Sequence, residues 1–111
     1  MLYESTEKFI AVRSREQIAA EAAELARRCQ GPAAEAAGAL AVYRWVLNPR
    51  GSAPVTGRAV DTPLADLDLV LEERAAIRAS RDRSRSGPER DRAAGAARAL
   101  GWVLGFVPMG R

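Results

Sequence analysis

The chain contains no histidine and one cysteine, Cys29. Without histidine, zinc, iron and copper centres of the ordinary kind are excluded, and so are nucleophiles activated by an imidazole. Cys29 has no partner for an intramolecular disulfide, which points to a reducing compartment, and it reads as a small buried hydrophobe. Lysine is nearly absent too, since 16 of the 17 basic residues are Arg and the other is Lys8. No apolar run approaches the roughly 18 residues a membrane-spanning helix needs. Met1 to Ser14 carries Glu4, Glu7 and Lys8 among scattered apolar residues, unlike a secretory leader or a lipidation signal. The expectation is a soluble cytoplasmic protein.

What remains is 111 residues, 48% of them hydrophobic, with a net charge of +3. That is one domain with a core large enough to fold without staples, and an expected radius of gyration of about 13 Å. A basic balance carried by Arg suits phosphate contacts. High Ala, Arg and Gly with scarce Lys is also what GC-rich codon usage produces, so the charge is weak evidence for nucleic acid.

The strongest pattern is a repeat. Ala36-Ala37-Gly38-Ala39 followed by Trp45-Val46-Leu47 recurs 57 positions later as Ala93-Ala94-Gly95-Ala96 and Trp102-Val103-Leu104. Gly31-Pro32 and Gly87-Pro88 open the two copies. The spacing predicts an all-α, four-helix bundle-like domain of two helical hairpins related by approximate internal duplication, with a short N-terminal arm or strand. The predicted divisions are an arm over 1–13, a first hairpin over 14–47, a Pro/Gly linker over 48–61, a second hairpin over 62–105 and a tail over 106–111.

Ser14-x-x-Gln17 is a capping box, so a helix starts there and buries Ile18, Ala22, Leu25 and Cys29. Helix two runs from Pro32 to Leu47. Its main stripe is Ala36, Ala39, Leu40, Tyr43, Val46 and Leu47, with Trp45 roughly opposite beside Gly38 and Val42. Helix four repeats this arrangement: Ala93, Ala96, Ala97, Leu100, Val103, Leu104 and Val107 form one face, and Gly95, Ala99, Trp102 and Phe106 the other. Gly38, Trp45, Gly95, Trp102 and Phe106 are therefore candidates for inter-helix packing or self-association. The linker, with Pro49, Gly51, Pro54 and Gly57, is a crossover or a binding loop. Thr62-Pro63 is expected to start helix three, with Leu64, Leu67, Val70, Leu71 and Ile77 buried. The polar stretch from Ser80 to Pro88 is expected to fray or loop.

On helix three Arg74, Arg78, Arg81 and Arg85 extend the stripe of Leu67, Val70 and Leu71, a candidate surface for an anion, nucleic acid or an acidic protein partner. Ala36-Ala37-Gly38 with Val42 to Trp45 superficially resembles the end of a helix-turn-helix motif, but Ala39 to Ala41 simply continue a helix where the turn belongs. Glu21-x-x-Glu24 resembles the first metal-binding element of all-α nucleotide pyrophosphohydrolases, implying a shared Mg²⁺. The second E-x-x-D element of that family is missing. No Gly-rich phosphate loop follows a strand, and no cofactor is expected. The reading is a non-enzymatic, self-associating protein-interaction module. The alternative is a nucleic-acid-binding accessory protein working through the Arg surface, and a lesser one is a Mg-dependent nucleotide hydrolase.

Overall fold

A computed structural model describes residues 9–28, 33–60 and 63–106. The architecture is an all-α bundle of four helices packed on one another: α1 (Arg15–Arg28), α2 (Ala33–Leu47), α3 (Asp66–Ser80) and α4 (Gly87–Leu104). Ahead of them lies a small antiparallel hairpin of β1 (Phe9–Ile10) and β2 (Arg13–Ser14), with Ile10 paired to Arg13 and Ala11 turning at a φ of 58°. Cys29 and the expected Gly31-Pro32 turn lie outside the described residues.

Local chemistry starts each helix. Gln17 N donates to Ser14 Oγ at 3.0 Å and Ser14 N to Gln17 Oε1 at 2.8 Å, the capping box expected for α1. Ser86 and Glu89 build a second one at the start of α4, at 3.2 and 2.9 Å, with Pro88 in the first turn. At the far end of α4, Gly105 takes a φ of +81° as a left-handed cap. Phe106 N then reaches back to Gly101 O at 2.8 Å.

The centre of the molecule is the pair α2 and α4, with α1 laid on α2 and α3 on α4. The two central helices run in the same direction, because Glu35 meets Gly95 and, further toward both C-termini, Tyr43 meets Trp102. Each Gly removes the side chain at the crossing. A Cβ on Gly38 would strike the carbonyl of Arg92 and come within 3.2 Å of Ala96 N, and one on Gly95 would strike the carbonyl of Glu35. Two backbones therefore pack directly together, and Val42, Val46, Leu100 and Val103 close the core around them.

On α2, Trp45 lies beside Gly38 and Val42, the side the spacing gives it, and is 5% exposed. A central helix has neighbours on both sides, so α2 buries both of its faces. α3 differs from the sequence expectation: it starts at Asp66, not at Thr62-Pro63, because the Asp68 carboxylate accepts from Ala65 N at 2.9 Å and fixes the entry there. It turns Leu69, Glu72, Ala76 and Ala79 inward instead of Leu67 and Leu71. The small Ala76 and Ala79 suit close packing on α4, and the reason Glu72 faces inward lies in the linker.

Residues 48–60 are not a loose connection. Ser52 bridges Ala59, Ala53 N donates to Arg58 O at 2.9 Å, and Gly57 N donates to Ala53 O at 3.0 Å, making a compact turn. The carboxylate of Glu72, fully buried on α3, holds that turn down. It accepts from Val55 N at 3.0 Å, from Thr56 N at 3.2 Å and from the Thr56 hydroxyl. A buried carboxylate is tolerable when donors converge on it, and here two backbone amides and a hydroxyl do so.

Candidate functional site

α3 presents one face to solvent along its length. Leu67 is 64% exposed and Leu71 40% exposed, and Arg74 and Arg78 stand exposed one and two turns further along the same face. Arg81 follows as the cap residue of the helix. The predicted continuation to Arg85 fails, because α3 ends at Ser80 and the chain folds into a short turn centred on Asp82. Arg85 Nε contacts Asp82 Oδ2 at 3.3 Å, and Ser84 donates to Asp82 Oδ1 through its amide at 3.0 Å and its hydroxyl at 2.7 Å. The two Ser84 bonds, followed by the Arg85 contact, hold the Asp82 carboxyl below its ordinary range. The guanidiniums of Arg74, Arg78 and Arg81 form no ion pair among the described residues.

The Gly and Trp candidates fall in different surroundings. Gly38 and Gly95 lie at the α2–α4 crossing and Trp45 in the core, its Nε1 buried without a hydrogen-bond partner in the structure. Trp102 is half-buried, edge-on to Tyr43 at 5.9 Å between ring centroids and covered by the Arg13 guanidinium at 4.3 Å. Arg13 Nε also donates to Trp102 O at 2.7 Å, and Arg15 Nη2 to Leu47 O at 2.6 Å. Arg13 at the end of the N-terminal hairpin and Arg15 at the start of α1 thus place positive charge on the C-terminal carbonyls of α4 and α2, where the helix dipoles favour it. The sequence carried no signal for these caps, which arise from the fold bringing both helix ends together. Phe106, 58% exposed, sits just past the Gly105 cap, against which Val12 packs.

A second surface was not anticipated at all. Between α1, α2 and α4 lies an open groove of about 430 Å³. Ala36, Ala39 and Ala99 make its small-residue lining, Tyr43 lines it as well, and Glu21, Arg28, Glu35 and Arg98 supply charge. Arg98 pairs with Glu35, and Arg28 with Glu24 at 3.7 Å. Burial, reinforced by the Glu21 carboxylate and opposed by Arg13 and Arg98, pushes the Tyr43 phenol up to about 12.

The pair Glu21 and Glu24 diverges in the structure. Glu24 is taken up by Arg27 and Arg28 on its own helix, whereas Glu21 lines the groove. Among the described residues no group of three or more Asp, Glu or Cys side chains is placed to hold a metal ion, and no helix is long and apolar enough to cross a membrane. No protein-family model, curated protein or solved structure matches the chain.

Proposed function

We propose that this chain is a non-enzymatic helical interaction module that docks a protein partner on the outer face of α3. The observation that carries the reading is the exposure of Leu67 and Leu71 in line with Arg74 and Arg78, which form no ion pair among the described residues. Exposed Leu side chains one turn apart leave apolar surface in water, and a partner that covers them recovers the hydrophobic free energy. The adjoining guanidiniums select the partner's other half. The fitting occupant is an amphipathic segment with apolar residues at one end and carboxylates at the other. A second copy of the chain fits less well through this face, because it brings no carboxylates to the Arg side chains: parallel pairing of two α3 helices brings four guanidiniums together, and antiparallel pairing sets them against Leu67 and Leu71.

Titration of the full chain with a synthetic amphipathic peptide bearing Leu and Glu at helical spacing tests this reading, with duplex DNA and single-stranded RNA as parallel probes. Peptide binding that is lost in Leu67→Glu and in Arg74→Glu with Arg78→Glu supports protein docking. Steeply salt-dependent nucleic-acid binding, tighter than about 10⁻⁴ M and lost in the Arg variant alone, replaces it with the nucleic-acid reading.

A further inference from the structure

We infer that the groove between α1, α2 and α4 is a binding site for an alkyl cation, a primary ammonium or guanidinium on a short hydrocarbon chain, held by the Glu21 carboxylate and the Tyr43 hydroxyl. The inference is independent of the α3 surface, from which the groove is separated by the α2–α4 pair.

Charge pairing selects the sign of the ligand. Of the four ionic side chains at the groove, Arg98 pairs with Glu35 and Arg28 shares Glu24 with Arg27, while Glu21 makes no ion pair among the described residues. The ionic side chain left without an ion pair at the groove is therefore a carboxylate. A cation placed there gains a charge-assisted hydrogen bond without breaking an existing pair.

Tyr43 supplies the second, independent mark of a site. The residue is 5% exposed with its ring fixed edge-on to Trp102, and its hydroxyl makes no hydrogen bond to the described residues and opens onto the groove. A Tyr this deeply buried ordinarily finds a protein partner for its O–H. Here it lines the groove within the electrostatic reach of Glu21. The phenol stays protonated at neutral pH, so its oxygen lone pairs are open to an N–H donor while its own proton is free to turn to Glu21.

The rest of the lining sets the body of the ligand. Ala36, Ala39 and Ala99 offer methyl groups with no hydrogen-bonding side chains, and Leu25 stands beside them. A chain of four or five methylenes lies on such a surface with its charged head at Glu21. The head group is common to free amines and to an Arg or Lys side chain of a peptide.

The test is titration of the full chain, followed by calorimetry, with agmatine, 1,5-diaminopentane, a blocked Ala-Arg-Ala peptide, and butyrate as the anionic control. Saturable binding of a cationic probe with a dissociation constant below about 1 mM is expected. Glu21→Gln and Tyr43→Phe should each weaken it at least about fivefold, and Glu16→Gln, exposed on α1 outside the groove, should leave it within about twofold. Agmatine or the diamine binding better than the peptide identifies a free amine as the ligand, and the reverse order identifies a side chain. Either order supports the site. Absence of saturation by every cationic probe up to about 10 mM, preference for butyrate, or unchanged affinity in a folded Glu21→Gln variant overturns the inference.

Discussion

Gly38 and Gly95 stand in reciprocal positions across the α2–α4 crossing: the first lies against the carbonyl of Arg92, the second against that of Glu35. Gly38 and Gly95 are 57 positions apart, and so are Glu35 and Arg92. Exchanging the two helices maps each contact onto the other, so the sequence repeat is expressed as an approximate two-fold axis running between parallel helices. This crossing is the most constrained part of the molecule, since the neighbours are backbone atoms and cannot swing aside.

Gly38→Ala and Gly95→Ala should therefore each destabilise the fold by about 1–3 kcal/mol despite the better helix propensity of Ala, because the added methyl overpacks a backbone contact. The reciprocal geometry predicts similar losses. Chemical denaturation midpoints of the two variants, compared with an exposed-site control such as Arg44→Ala, check it; an unchanged midpoint in both means the helices do not pack this closely.

Removing the carboxylate of Glu72 strands the donors gathered around it. Glu72→Ala should cost about 2 kcal/mol, the scale set by leaving partly buried donors unsatisfied and a cavity unfilled. Amide exchange at Val55 and Thr56 should accelerate well beyond that of α2. Exchange at those amides that stays as slow as in the wild type would show that the linker turn holds without Glu72.

Arg13 joins a cation–π contact to a helix-end hydrogen bond. Arg13→Gln should lose about 1 kcal/mol, combining a partly exposed cation–π contact with part of the dipole interaction, and Arg13→Lys should recover only some of it because the planar guanidinium is gone. Thermal unfolding together with the emission maximum of Trp102, recorded in a Trp45→Phe background, measures both effects. Identical midpoints for all three side chains would leave the N-terminal hairpin energetically idle.

The Tyr43 phenol fixes a pH window at the alkaline end. In the unfolded chain it ionises near 10, while in the folded protein burial and Glu21 raise it to about 12. The folded state then binds the proton more tightly, so this contribution is intact below pH 10 and stability falls as the pH rises from about 10 to about 12. Absorbance at phenolate wavelengths should show one Tyr ionising late, and Tyr43→Phe should flatten the alkaline loss. Ionisation of both tyrosines near 10 in the folded protein would contradict it.

Much of the bundle was legible from local chemistry. The capping box at Ser14, the extent of α2 and the Gly-to-Trp spacing are short-range properties, and each is found in the structure where the sequence puts it. The second capping box, Ser86-x-x-Glu89, was equally available as a spacing. The α3 register was not. Its apolar residues Leu67, Leu69, Val70, Leu71 and Ile77 surround the helix, so their period does not choose a face, and the choice rests on Glu72.

That choice could be made only with the linker and α4 in place. A carboxylate read along a sequence belongs to solvent, because burying it alone is costly; it goes inside here because Val55 and Thr56 bring their donors to it from far along the chain. Turning Glu72 inward turns Leu67 and Leu71 outward, and so creates the α3 surface. The groove has the same origin, since Glu21, Tyr43 and Arg98 come from three helices and share no spacing. Residue pattern and capping chemistry set which segments become helices and how two of them cross, as these depend on neighbours within a few turns. The faces left to solvent depend on contacts between segments distant in sequence, and packing alone assigns them.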